Sequence, residues 1–488
     1  MHILAMESST TSAKAMLYNI GTGNFTVSTR NYQFSHGEIG KQDPKIVFDT
    51  TMALGKQLSA GEEVVAISLG CTWHSTMLCD EKMRPQTPLL QWTDVSASKL
   101  CELLRRDKEY SIAYYQKTGC MVNVTYPFFK LKLLCETGWD LASYRIADQG
   151  TYTMYQLTGK YLVSDVTASG SGLLNAKTRD FDEELNSELG ITSHNLPELV
   201  RYKVAYPLLA EGAKLLGVKP GIPVMVPLAD GIGNHIGSGA LTSGIMTLSM
   251  GTSAAMRLSS PKPILPKEAN TWCYLTPDGW LSGAAIAGCT NCVDWAKNNL
   301  FGSMASYADA EQGFYHQSKS SASKGREGGG LNLDDSPPIF LPFLFGERCP
   351  GWQDERGGGF VDVKSYHTKY DLYHSVLEGV LYNLYQCFVA LTKQNEKPHT
   401  IKLSGGIQHS AYWTQMCADI FQQPMELDPA TQASLKGGVV VALEHLGKIQ
   451  DLTSMDFPKG KVIYPNLEKV ERYKKQYQRY LFWYERTE

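Results

Sequence analysis

No apolar run in this 488-residue sequence approaches the roughly 20 residues needed to span a bilayer. The opening Met1-His2-Ile3-Leu4-Ala5 runs at once into Glu7-Ser8-Ser9, so it lacks the basic start and longer apolar stretch of a secretory signal. There is no surplus of one charge either. The 46 Lys and Arg stand against 49 Asp and Glu, a net charge of −3, which argues against nucleic-acid or membrane partners. The eleven cysteines are odd in number and scattered, as expected for reduced thiols in a cytoplasmic protein. Cys289 and Cys292 have C-x-x-C spacing, but no second pair or His partner completes a zinc set. They read as two small residues near a helix start. Also missing are G-x-x-x-x-G-K-[ST], a complete G-x-G-x-x-G, G-x-S-x-G and H-E-x-x-H. A nucleotide, if bound, is therefore held by something other than a P-loop or a dinucleotide fold.

What is present is a chain 43% hydrophobic and 19% charged, ordinary for a globular protein and too long for one core. At least two domains are expected. The first residues read strand, polar turn, strand. Ile3-Leu4-Ala5-Met6 is an apolar run, Glu7 to Ser12 is rich in hydroxyls, and Ala13, Ala15 and Leu17 alternate with Lys14, Met16 and Tyr18. About half the chain further on the arrangement returns. Ile245-Met246-Thr247-Leu248 leads through Ser249-Met250-Gly251-Thr252-Ser253 into Ala254-Ala255-Met256-Arg257-Leu258, and Thr11-Ser12-Ala13 matches Thr252-Ser253-Ala254. Two like domains would explain both the repeated setting and its offset.

Such a turn has a chemistry. A tight hairpin of Gly, Ser and Thr aims N–H groups and hydroxyls at one point, which suits phosphate oxygens. An ordinary β-turn uses the same residues. Taken with a third turn, Ser404-Gly405-Gly406, the two hairpins favour phosphate. Asp230 follows the short apolar strand Val224 to Leu228, which would deliver it to a cleft at a strand end. It could serve as a general base or as a cap for the glycine-rich helix start after it.

These residues resemble the FGGY carbohydrate kinases, which share their fold with actin and hexokinase. Glu7-Ser8-Ser9-Thr10-Thr11-Ser12-Ala13-Lys14 stands where that family has Asp-x-Gly-Thr-Thr-Ser-x-Lys. Trp73-His74-Ser75, Trp92-Thr93-Asp94, Asp230-Gly231, Gly251-Thr252-Ser253, Gly346-Glu347-Arg348-Cys349-Pro350-Gly351-Trp352, Leu377-Glu378-Gly379 and Ser404-Gly405-Gly406 follow in the family's order. Tyr126-Pro127-Phe128-Phe129-Lys130 and Ser169 to Asn175 look most like gluconokinases, with xylulokinases next.

The resemblance implies an α/β fold of two RNase H-like (actin/hexokinase-type) domains flanking a cleft. Residues 1–242 would hold the sugar and the catalytic base, and residues 243–488 the nucleotide. It implies ATP-dependent phosphorylation of a small sugar or sugar acid, with Mg2+ as cofactor. The alternatives are a pentulose kinase such as a xylulose kinase, or a non-catalytic nucleotide-binding protein of the same fold. Asp230 is the implied base, and Trp73, His74 and Asp94 the acceptor residues, with Lys130 as the cation for an acid. Thr10, Thr11 and Lys14 would lie by the transferred phosphoryl, Gly251, Thr252 and Ser253 on the other phosphate side, Gly405 and Gly406 at the adenosine, and Glu7 at the metal. A homodimer is the commonest closed assembly.

The sequence departs from the family pattern at four places. Glu7 replaces Asp, Ser9 replaces a glycine, Val95-Ser96 lacks the arginine usual after Trp-x-Asp, and Tyr373-His374 replaces the Arg-Ala usual before Leu-Glu-Gly. Ser9 puts close approach of the backbone to phosphate in question. Two further segments stand out. Gln317 to Gly330, rich in Ser, Lys and Gly, reads as a mobile surface loop, and Leu467 to Tyr484 as an amphipathic helix with its aromatics inward.

Overall fold

The computed structural model describes residues 1–34, 40–315, 337–393, 397–429 and 431–487. The segment 317–330, expected to be a loop, lies outside them. The chain divides into two compact units, each mixed α/β. The first comprises Met1–Ser243, Ser259–Ser282 and Ala430–Pro458, and the second Gly244–Leu258, Gly283–Pro429 and Lys459–Glu488. Among the described residues no helix is long and apolar enough to cross a membrane.

In the first unit, His2–Ser8, Ser12–Asn19 and Phe25–Asn31 form an antiparallel meander. Val64–Cys71 pairs in parallel with the free edge of His2–Ser8. Pro223–Met225 and Leu228–Ala229 pair in parallel with Val64–Cys71 in turn, and Ala205–Pro207 closes the sheet antiparallel. The strand expected over 224–228 is interrupted at Val226-Pro227, because Pro227 has no N–H for the ladder.

The opening strand is buried on both faces, from Ile3 to Met6, so both faces need cover. Helix Pro44–Ser59 lies on the Met6 face, where Gly55 sits against the Met6 sulfur. It starts cleanly: Asp43 accepts from the Lys45 N–H at 2.8 Å and Pro44 takes the first helical position. Helix Ala433–His445 covers the other face, with Gly438 against Ser68, the register partner of Ala5. That helix also crosses helix Asp230–Gly237 at very short range. A methyl at Gly237 would overlap the Ala433 carbonyl, and one at Gly437 the Gly233 carbonyl. Asp230 is thus set at the start of a helix pinned by backbone-to-backbone packing.

The second unit repeats the opening pattern. Ile245–Met250 and Ala254–Ser260 form an antiparallel hairpin, and Thr400–Gly405 pairs in parallel with Ile245–Met250. Met425–Leu427 and Val462–Ile463 extend the sheet. The expected repeat is therefore a topological one: a hairpin whose first strand takes a parallel neighbour. Helix Val470–Tyr484 buries Tyr473 and Tyr480, as its amphipathic pattern requires. The Gly346 to Trp352 segment anchors that helix. Glu347 is buried, pairs with Arg356 at 2.8 Å, and accepts from the Tyr484 hydroxyl at 2.6 Å.

Candidate active site

The first hairpin turn is Ser9 to Thr11. No residue from Ser8 to Ser12 has a positive φ, so the turn does not need the glycine that Ser9 replaces. The Ser9 N–H donates to the Ser12 carbonyl at 3.0 Å, and its hydroxyl donates to Glu7. Glu7 is buried and stands opposite Lys14 in the antiparallel register, with Lys14 Nζ 3.1 Å from Oε1. Thr10 is clamped from outside the hairpin. Trp92 Nε1 donates to its hydroxyl at 3.0 Å, and Gln42 Nε2 donates to its carbonyl at 2.7 Å. Thr11 is exposed, and its carbonyl accepts from the Tyr32 N–H at 3.0 Å.

Asp230 follows strand Leu228–Ala229 and opens helix Asp230–Gly237. Its Oδ1 accepts from the Gly231 N–H at 2.7 Å and from the Trp73 N–H at 3.3 Å. Asp230 is the first helical residue, after the N-cap position Ala229, and the helix start has no side-chain cap, so the capping role weighed against catalysis is not what this carboxylate does; it lies beside Trp73. Glu7 and Asp230 line one small pocket, with room for about one water-sized group. Trp73 and His74 stack with ring centroids 5.6 Å apart, and Tyr274 and Tyr126 close around His74 at 5.5 and 5.3 Å. The Tyr126 and Tyr274 hydroxyls lie 3.0 Å apart. His74 Nδ1 donates to the Gly170 carbonyl at 2.7 Å and Trp73 Nε1 to the Thr167 carbonyl at 2.9 Å, which fixes both rings. His74 has φ of +67°, a strained backbone for a non-glycine residue and common where a side chain must be aimed. Trp73, His74, Gly170 and Asp148 border a cavity of about 50 Å³.

Asp94 belongs to a different set of contacts. It is buried, accepts from the Ser96 N–H at 3.2 Å and from the Ser96 hydroxyl, and has Lys41 Nζ 3.9 Å from Oδ2. Lys130 is not a solvated helix lysine. It is fully buried on helix Pro127–Glu136, and its Nζ donates to the Thr125 carbonyl at 3.2 Å. Burial pushes its ammonium down to about 7, against the opposing pull of the Asp94 and Cys101 charges.

In the second unit the expected nucleotide residues come together. Met250 and Gly405 are register partners, so the Gly251 to Ser253 turn and the Gly405-Gly406 turn leave neighbouring strand ends side by side. Thr252, Gly405 and Gly406 are exposed. Gly405 has φ of +94°, and a side chain there would run into the Met250 carbonyl, so only glycine fits. Helix Thr290–Phe301 begins against the same turn, with the Thr290 N–H donating to the Gly251 carbonyl at 3.0 Å. Cys289 and Cys292 sit at that helix start as free, buried thiols, and burial pushes the Cys292 thiol up to about 12. The helix start expected near Cys289 and Cys292 is present, but sequence reasoning missed its contact with the turn, and with it Tyr274 and the packing role of Gly170. The only available signals were a glycine in the Ser169 to Asn175 segment and a Thr-Asn pair after Cys289. Among the described residues no group of three or more His, Cys, Asp or Glu could hold a metal ion.

Residues 2–237 match the model of the N-terminal domain of the FGGY family of carbohydrate kinases, and residues 246–444 match its C-terminal domain. The chain belongs to this family. It is a carbohydrate kinase with the two-domain FGGY fold, of the actin/hexokinase type. Among curated FGGY relatives, a gluconokinase of Bacillus subtilis is 28% identical over 93% of this chain and 89% of its own length. A xylulose kinase of Escherichia coli is 27% identical over 79% of this chain and 77% of its own. The crystal structure of gluconate kinase from Lactobacillus acidophilus superposes with a TM-score of 0.91 at 27% identity, covering 98% of this chain and 96% of that one.

Proposed function

We propose that this carbohydrate kinase moves the terminal phosphoryl group of ATP onto a hydroxyl of a sugar acid of the gluconate class. The observation that carries the reading is Asp230. Its carboxylate opens a pinned helix, accepts from the Trp73 backbone, and shares a cavity with Glu7. Phosphoryl transfer asks for positioning and charge neutralisation more than covalent chemistry. Asp230 accepts the proton of the attacking hydroxyl, and Trp73, His74 and Asp94 orient the acceptor. Thr10, Thr11 and Lys14 lie by the transferred group, with Gly251, Thr252 and Ser253 on the other phosphate side and Gly405-Gly406 at the adenosine. Residues 1–242 serve the acceptor and 243–488 the nucleotide.

Mg2+ neutralises phosphate charge in such reactions. With no protein cage for it among the described residues, ATP oxygens and water hold it, and Glu7 is the carboxylate at hand. A cytoplasmic, dimeric enzyme is part of the same proposal.

The acceptor class rests on the gluconokinase relatives and on Lys130, a buried amine on the helix that follows Tyr126, which is cationic only at and below about pH 7. A xylulose acceptor is the second reading. It is favoured by a ligand-bound xylulose kinase from Lactobacillus acidophilus, which superposes equally well at a TM-score of 0.91 and 26% identity.

The test is ADP release with ATP and Mg2+ across gluconate, xylulose, ribulose, glycerol and no sugar, with Asp230→Asn alongside. Gluconate should stimulate release, and the substitution should lower the stimulated rate by about 10²-fold or more while leaving the melting temperature in place. Stimulation by xylulose alone selects the second reading. ATP binding with no stimulation by any acceptor selects the non-catalytic alternative.

A further inference from the structure

Helix Lys369–Thr392 carries His374 and Glu378 one turn apart, both buried, with His374 Nε2 2.9 Å from Glu378 Oε1. Arg472, from helix Val470–Tyr484, reaches the same oxygen at 3.0 Å and lies 3.3 Å from His374 Nε2. On the other side of the ring, the Tyr412 hydroxyl is 3.1 Å from Nδ1. One proton assignment satisfies both ring nitrogens. Nε2–H donates to the carboxylate, and Nδ1 accepts from the phenol.

Tyr412 is the second residue of helix Ala411–Phe421, which comes directly after the Gly405-Gly406 turn and the 3-10 turn Gly406–His409. The turn is exposed and bears no side chain at its two glycines, so it is held through its flanks: the strand pairing of Gly405 with Met250 on one side and the following helix on the other. Two side chains at the helix start run to helix Lys369–Thr392. Tyr412 bonds His374, and Trp413 Nε1 donates to the Leu377 carbonyl at 3.1 Å.

We propose that His374 is a positioning residue for the nucleotide, holding the Gly405-Gly406 turn in its binding geometry through Tyr412, with Glu378 and Arg472 fixing the ring from behind. This rests on the reading that the turn holds adenosine. A chain of hydrogen bonds orients each member, so cutting the Tyr412 link removes one of the two side-chain ties that run from the helix start to helix Lys369–Thr392.

The experiment uses the full chain. ATP affinity is measured by calorimetry and acceptor KM by ADP release with gluconate, for His374→Ala, His374→Gln, Tyr412→Phe, the Tyr412→Phe/His374→Ala double variant and Gly405→Ala. His374→Ala and Tyr412→Phe should each weaken ATP binding about three- to tenfold, the size of one net buried hydrogen bond. The double variant should be no worse than the poorer single one. His374→Gln should lie near wild type, because an amide can accept from the phenol and donate to the carboxylate. The gluconate KM should not move.

ATP affinity that stays at the wild-type value in Tyr412→Phe overturns the inference, even if His374→Ala fails to fold. So does a parallel rise in both ligands' constants. Gly405→Ala separates the two levels. If it too leaves ATP binding intact, the placement of the nucleotide is wrong. If it weakens binding while Tyr412→Phe and His374→Ala do not, only the role of His374 falls.

Discussion

Replacing Lys130 by methionine should flatten the pH dependence of stability in a calculable way. The ammonium is fully buried, with its ordinary value of 10.5 pushed down to about 7, mainly by loss of water. The unfolded chain therefore binds this proton up to about pH 10.5, and the folded chain releases it near 7. Between those values the unfolded state carries more protons, so stability rises with pH. Below pH 7 both states are charged, and the folded state bears the whole cost of an ammonium out of water. At about 1.4 kcal/mol for each tenfold change, a window of about 3.5 pH units sets a ceiling near 5 kcal/mol. From pH 6 to pH 9 the gain is about 2.5 kcal/mol on the same scale. Methionine fills a similar volume and has no charge to lose. Urea unfolding at pH 6, 7.5 and 9, followed by tryptophan fluorescence, should show Lys130→Met gaining most on wild type at pH 6. That advantage should shrink by up to about 2.5 kcal/mol at pH 9. Only the difference between the two proteins is read, because buried cysteines such as Cys289 and Cys417, whose thiols burial holds above their usual range, destabilise both alike at high pH. A constant difference across the three pH values would refute the reasoning, since it would mean that Lys130 keeps its charge in the folded protein.

Gly437→Ala places a methyl against the Gly233 backbone, where no flexible side chain can yield. It should cost about 1–3 kcal/mol in thermal or urea unfolding, and it should lower the turnover rate more than a surface Gly→Ala control, because the displaced helix begins at Asp230. Arg356→Met leaves Glu347 buried without its cation and should cost about 3–5 kcal/mol. Adding Glu347→Gln should recover part of that loss, and urea midpoints of the two singles and the double measure the recovery.

What could be read from the sequence was local. Both hairpins were legible because alternation and a hydroxyl- or glycine-rich turn report on a few neighbouring residues. Their strands nevertheless run further than expected, to Ser8 and Met250, because polar residues near the strand ends still join the ladder. The placement of Asp230 at a strand end was legible too, but not that Asp230 would be the first helical residue, past the cap position, with an Oδ1 that meets both the Gly231 and the Trp73 N–H. Lys130 and Lys132 sit in one Lys-Leu-Lys-Leu run, yet the first is fully buried and the second pairs with Glu188 near the surface. Periodicity over so short a stretch does not say which lysine faces inward. Tyr274 lies some 200 residues from Trp73, with no motif joining them, so only the fold brings their rings to 4.8 Å.

The departures from the family pattern make the same point about distance in space. Taken singly, Glu7 for Asp and Ser9 for Gly each look like damage to a phosphate turn. In the structure they form one exchange. The longer carboxylate lies on Gly70, pairs with Lys14, and accepts from the hydroxyl that Ser9 brings, while the turn keeps a backbone that any residue can adopt. The two reversions should therefore cost less together than the sum of their separate costs, as urea midpoints of the two singles and the double would show. Glu7→Asp withdraws the acceptor from Ser9, and Ser9→Gly withdraws the donor from Glu7. Both single changes break the same Ser9–Glu7 hydrogen bond, so the double reversion loses it only once, and a carboxylate remains at position 7 opposite Lys14.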